Sequence, residues 1–302
     1  MTTASHRRLR LEGIWLPLVT PFRDGALDEA SLRDLVRHYM ATPVDGFILA
    51  GTTGEAATLD ELETERLVAA VAAEVAGRRP VVLGLSGSDT RAMIESLSET
   101  EHWPIDGYLI TCPYYTRPSQ EGLFRHFQAL GAQAAKPIVL YNIPYRTGVN
   151  LANETLFRLT ENPVFAGIKD CCMVPAQSFD LLRHRPSGFA VLTGEDALFH
   201  AAVAQGADGG ILAAAHVETA AFAAVRNALL TGDNAGALAR WSGLVDLVRL
   251  LFAEPNPAPI KHWLWRQGLI ASPELRLPMC GVSDALAARL AQELERRAAP
   301  VG

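Results

Sequence analysis

The sequence predicts an α/β protein, a (β/α)8 (TIM) barrel carrying a C-terminal helical extension. Two observations predict the barrel: short apolar runs alternate with helix-length segments along the first three-quarters of the chain, and this alternation repeats eight times. A third predicts the extension, because the pattern beyond the eighth run is purely helical. Alternating β and α elements imply a parallel sheet, either open and doubly wound or closed as a barrel. Eight units in about 215 residues match the spacing of the closed form. No G-x-G-x-x-G follows the first run, which argues against a dinucleotide-binding open sheet.

The candidate strands are residues 14–19, 46–50, 81–85, 107–112, 138–141, 164–168, 189–192 and 210–213. Each is brief and rich in Val, Ile, Leu or aromatic residues, as strands buried on both faces should be. Between them lie helical segments such as 60–76, 90–101 and 120–135, the first with Leu62, Leu67, Val71 and Val75 as an apolar stripe. Asp28, Asp60, Asp89 and Ser119 stand where helix N-caps are needed. The tail reads as helices at 219–230, 234–252, 259–268 and 284–298, punctuated by Pro255, Pro257 and Pro259. The expected organisation is a barrel over 8–230 bearing the active site, with a helical segment over 231–302 packed on it.

Composition removes several classes of function. The 302 residues are 49% hydrophobic and 20% charged, which is globular, and the formal net charge is -6. That charge argues against nucleic acid as a partner, since phosphate backbones reward clustered cations. The basic start MTTASHRRLRLEG has no apolar run behind it and does not read as a signal peptide. The longest apolar stretch, 209–225, contains His216 and Glu218 and is too short and polar to span a membrane. Four cysteines, two of them the adjacent Cys171 and Cys172, form neither a metal-ligand spacing nor a disulfide framework, and the eight histidines are scattered. The reading is a cytoplasmic protein with reduced thiols, no metal and no membrane.

In a barrel of this kind, chemistry sits where strands end at their C-terminal side. Those ends read Gly51-Thr52-Thr53-Gly54-Glu55, Cys112-Pro113-Tyr114-Tyr115, Tyr141-Asn142-Ile143-Pro144-Tyr145-Arg146, Lys169-Asp170 and Gly194-Glu195-Asp196. The chain has only three lysines: Lys136 precedes the fifth strand, Lys261 lies in the helical tail, and Lys169 alone stands at a strand's C-terminal end. A lysine there is partly desolvated, which lowers its pKa and frees the amine as a nucleophile toward carbonyls. The plainer alternative is an ion pair with Asp170. Tyr141 is either a general acid/base or a half-buried rim aromatic. Tyr114 and Tyr115, if extended, point to opposite faces, so at most one faces the barrel interior. The Gly51–Glu55 loop offers N–H groups and hydroxyls suited to a small carboxylate, or is simply a turn. Arg146 is either a carboxylate clamp or a surface arginine, and Glu195 and Asp196 most simply cap the next helix.

Together these segments resemble the dihydrodipicolinate synthase / N-acetylneuraminate lyase family of pyruvate-dependent class I aldolases. The resemblance is carried by G-T-T-G-E, C-P-Y-Y-T-R-P-S-Q-E-G, Y-N-I-P-Y-R-T-G, G-I-K-D and, in the tail, N-P-A-P-I-K followed by L-R-L-P-M. It runs from about Gly13 to Ala298 and is nearest the synthase branch. It implies a lyase without metal or organic cofactor, in which Lys169 forms a Schiff base with pyruvate. Tyr141 would move protons, connected to Thr53 and to Tyr115 supplied across a subunit contact. Thr52 and Thr53 would hold the pyruvate carboxylate, with the backbone near Ile211 opposite. Arg146 would bind the carboxylate of L-aspartate 4-semialdehyde, the condensation partner in lysine biosynthesis. A homotetramer built from tight dimers is implied as well.

The chain departs from the branch pattern at Asp170-Cys171-Cys172-Met173, at the bulky Tyr145, and along the apolar 209–216 segment. These departures leave room for a related aldolase or hydratase acting on a 2-keto-3-deoxy sugar acid or similar 2-oxo acid. A non-catalytic ligand-binding barrel is the third reading, opposed by the intact Lys169, Tyr141, Thr53 and Tyr115.

Overall fold

The computed structural model describes residues 9–298. The first eight residues of the basic start and the outer limits of the two expected segments, at 8 and 299–302, lie outside the described residues. Eight parallel strands form the barrel: β1 Gly13–Pro17, β2 Gly46–Leu49, β3 Val81–Leu85, β4 Gly107–Thr111, β5 Ile138–Asn142, β6 Phe165–Asp170, β7 Ala190–Thr193 and β8 Gly209–Ile211. Each bonds its sequence neighbour, and β8 bonds β1, so the sheet closes without an edge.

Closure sorts side chains by parity, since alternate residues of a strand face opposite sides. Trp15, Ile48, Val82, Leu109, Val139, Leu192 and Ile211 pack together inside the barrel. Leu16, Phe47, Leu49, Ile110, Leu140 and Ile168 pack outward against the helices. In register, Thr111 pairs with Tyr141, Tyr141 with Lys169 and Lys169 with Leu192. The same parity that points Leu192 inward therefore also points Tyr141 and Lys169 inward, near the C-terminal rim.

All four expected caps form: Asp28 accepts from the Ser31 amide, Asp60 from Glu63 in a capping box, Asp89 from Arg91 and Ser119 from Gly122. Each such cap contributes about 1 kcal/mol. Strand limits move by a few residues. The sixth strand, expected over 164–168, continues to Asp170, and the Cys171 amide still bonds the Asn142 carbonyl. Lys169 thus sits inside the ladder instead of beyond it. The eighth strand, expected over 210–213, ends at Ile211 because a helix begins at Ala215, kinked at Glu218. A small hairpin, Phe22–Arg23 with Ala26–Leu27, follows β1 and was not expected. Asp24 and Gly25 both take positive φ at its turn, as an Asp-Gly hairpin requires.

The tail helices pack on the barrel's own. Asn234–Leu251 lies against Ala215–Leu230, and Ala258–Arg266 against Asp284–Ala298. The proline-rich connection brings Asn256, and the helix Ala258–Arg266 brings Lys261, back to the loop after β2. Among the described residues, no helix is long and apolar enough to cross a membrane.

Candidate active site

Lys169 is 6% exposed, enclosed by strands on both sides. Burial pushes its amine pKa down, while nearby Cys171, Asp196 and Glu195 work in the opposite direction. Its Nζ lies 4.2 Å from the centre of the Tyr141 ring. The Asp170 ion pair considered from sequence does not form. Asp170 points outward, accepting from Ser178 Oγ at 2.6 Å and from the Cys172 amide at 3.1 Å. Strand parity explains this, because adjacent residues of β6 face opposite sides. Gly194 makes room for the lysine: a Cβ there would stand 2.5 Å from Lys169 Cε and 2.4 Å from Cys171 Sγ.

Tyr141 is 4% exposed and its phenol is pushed well up by burial, so it is protonated at neutral pH. The hydroxyl that hydrogen-bonds toward it is that of Thr52. Thr53, joined to Tyr141 in the sequence reading, is instead tied to the tail, where Asn256 Nδ2 donates to its Oγ1 at 2.9 Å. Consecutive residues in the loop diverge, so the two threonines serve different neighbours. Ile211 lies inside the barrel at 1% exposure.

The loop after β2 is clamped from below. Glu55 has φ 55°, a left-handed backbone uncommon for a non-glycine residue. Its carboxylate accepts from Lys261 Nζ at 2.8 Å and from the Arg276 amide at 3.1 Å. Lys261 also donates to the Thr20 carbonyl at 2.9 Å. Lys261 is thus a buried structural cation beneath the Gly51–Glu55 loop. Sequence reasoning missed this role, and that of Asn256, although both lie in the N-P-A-P-I-K segment.

Arg146 sits on a single helical turn, Pro144–Thr147, with its guanidinium 5.9 Å from the Tyr145 ring centre. Tyr145 donates to Glu195 Oε1 at 2.8 Å. Glu195 stands at the N-cap position of the turn Asp196–Leu198, but its side chain makes no cap bond there. Asp196 accepts from the Ala214 amide at 2.6 Å, tying the end of β7 to the end of β8; burial raises its pKa to about 7. Tyr115 is 92% exposed with φ 67°, and neither it nor the half-exposed Tyr114 enters the barrel. One chain therefore assembles Lys169, Tyr141, Thr52, Thr53 and Arg146 at one rim, and leaves Tyr115 outside.

Two cavities meet there. An inner one of about 280 Å3 is lined by Thr52, Thr111, Tyr141, Arg146 and Asn256. An outer one of about 630 Å3 shares Arg146 and Asn256 and adds Tyr145, Glu195 and Arg249. Thr111 Oγ1 and Asn256 Oδ1 are buried without a protein partner, leaving both free for a ligand's polar atoms. A larger cavity of about 990 Å3, lined by Arg10, Lys136 and Asp208, lies at the opposite rim. Size alone would favour it, but the inward lysine and the strand ends are at the other rim, where such barrels do chemistry.

The model of the dihydrodipicolinate synthetase family matches residues 10–297. The chain is 41% identical over 282 residues to 4-hydroxy-tetrahydrodipicolinate synthase 2 of Clostridium acetobutylicum, covering 93% of this chain and 99% of the relative. It superposes on a dihydrodipicolinate synthase structure from Bacillus anthracis with TM-score 0.92 at 30% identity, covering 97% and 100% of the two chains. A monomeric dihydrodipicolinate synthase variant matches with TM-score 0.91 at 32% identity over 94% and 96%. By fold, rim chemistry and a match over nearly its whole length, this chain belongs to the dihydrodipicolinate synthetase family.

Proposed function

We propose that this protein is a cytoplasmic lyase of the 4-hydroxy-tetrahydrodipicolinate synthase type, condensing pyruvate with L-aspartate 4-semialdehyde in lysine biosynthesis. The observation that carries this reading is Lys169, a desolvated amine facing Tyr141 inside a barrel rim that also holds Arg146. The amine adds to the pyruvate C2 carbonyl and water leaves, giving a protonated imine. That imine is an electron sink, so a C3 proton is lost and the resulting enamine attacks the aldehyde carbon. Tyr141, protonated and bonded toward Thr52, holds a proton at the forming and breaking C–O bonds. Thr52 and Thr53, with the Ile211 backbone opposite, receive the pyruvate carboxylate, and Arg146 the aldehyde's. No metal or organic cofactor is needed, because the lysine supplies the electron sink.

Borohydride added with pyruvate should inactivate the protein and add a pyruvate-derived mass to the peptide containing Lys169. Labelling of Lys136 or Lys261 instead would overturn the site assignment. A coupled assay with pyruvate and a panel of aldehydes separates the synthase from an aldolase of sugar acids.

A further inference from the structure

Tyr145 follows β5 and Glu195 follows β7, and β6 with Lys169 lies between those two strands. The 2.8 Å bond from Tyr145 Oη to Glu195 Oε1 therefore passes over the end of the lysine's own strand. Cys171 Sγ and Lys169 Cε both lie against Gly194, the residue before Glu195, and the Cys171 thiol pKa is raised mainly by burial and further by Glu195, so the bond spans a floor made by Cys171 and Lys169. Both bridging residues line the outer cavity, which meets the inner one at Arg146 and Asn256. The outer cavity leads into the inner one beside this bridge. The inner cavity is only about 280 Å3 and Arg146 lines both cavities, so a short aldehyde can place its carboxylate at Arg146, whereas a long hydroxylated chain extends into the outer cavity along the Tyr145 ring.

Resting on the function proposed above, we infer that the Tyr145–Glu195 bridge selects the aldehyde partner by length, admitting a short anionic aldehyde and rejecting a long polyhydroxylated one. The bond also matters electrically. A phenol donating to Glu195 satisfies part of a carboxylate that would otherwise face the incoming anion. Breaking it costs selectivity even when the ring remains.

Three proteins decide the matter: the unmodified chain, Tyr145→Phe, which keeps the ring and loses the bond, and Tyr145→Ala. Each is assayed with pyruvate against L-aspartate 4-semialdehyde and a six-carbon sugar aldehyde, and each is trapped with borohydride and pyruvate. Pyruvate attachment to Lys169 is expected in all three. The kcat/KM ratio of sugar aldehyde to semialdehyde should rise by about tenfold or more in Tyr145→Ala, in the range that reshaped pockets give. Tyr145→Phe should move it the same way by several-fold, with KM for the semialdehyde rising more than kcat falls. Attachment with unchanged ratios overturns the inference and leaves the proposed function standing. A shift confined to Tyr145→Ala assigns selection to ring bulk and overturns the bridge. Absence of attachment in the unmodified chain overturns the function itself. Should Tyr145→Ala fail to fold, Tyr145→Phe alone decides.

Discussion

Lys169 and Lys261 are both buried, and their surroundings divide their roles. Lys261 has Glu55 at 2.8 Å and a carbonyl at 2.9 Å, so although burial lowers its pKa too, the carboxylate beside it works against that and matches its charge. Lys169 has an aromatic face and no ion pair among the described residues, so desolvation dominates and its pKa falls. A base whose pKa is lowered is neutral over a wider range, and only the neutral amine attacks a carbonyl. The rate of imine formation with pyruvate should therefore rise with pH and level off below 10.5, the ordinary lysine value. Stopped-flow or rapid-quench borohydride trapping across pH measures this; a rate still climbing through that value would show an unperturbed amine. The proposed nucleophile was legible in the sequence because only three lysines exist and one ends a strand. The partner of Tyr141 was not. Thr52 and Thr53 are the same residue type one position apart, and only the loop's folded path decides which hydroxyl reaches the phenol.

At the level of elements, the Gly51–Glu55 loop depends on a helix more than two hundred residues away. A left-handed Glu55 persists because Lys261 and the Arg276 amide hold its carboxylate. Removing one partner of a buried ion pair strands the other charge and costs about 3–5 kcal/mol, while removing both costs less. Lys261→Met should lower unfolding stability by that amount, and Glu55→Gln combined with Lys261→Met should lose less than the two single changes added. Urea unfolding of the four proteins provides the cycle, and strict additivity would mean the pair carries no coupling. The strand–helix alternation was legible because the strands are short apolar runs and several helices, those after Asp28, Asp60, Asp89 and Ser119, announce their start with a cap. The clamp was not, because no local pattern tells a lysine in a tail helix which loop it supports. The hairpin at Phe22–Leu27 was readable from Asp24-Gly25 but lies between two flanks only two residues long.

At the scale of the whole molecule, Tyr115 stands apart from its own chain's site. A tyrosine 92% exposed at a left-handed backbone position is poorly placed to serve its own barrel. Its amide bonds the Thr147 carbonyl at 3.2 Å, which fixes the loop beside the Arg146 turn and presents the ring outward. Such a ring makes sense if a second copy receives it, as in the tight dimer that the family resemblance implies. In a two-fold dimer the contact is reciprocal, so each site contains its own Lys169 and the other subunit's Tyr115. Tyr115→Phe and Lys169→Ala should each be nearly inactive alone, the first folded and able to trap pyruvate, the second folded and unable. Mixed, dissociated and reassembled, they should form heterodimers in which one site has lost both groups and the other has regained both. With random pairing that restores about a quarter of the original activity. The recovered fraction should fall away on dilution below the concentration at which sedimentation shows dissociation. If the mixture stays as inactive as its components while sedimentation shows mixed dimers, Tyr115 serves its own chain or none. Activity of Tyr115→Phe close to that of the unmodified chain would remove it from the proton path altogether.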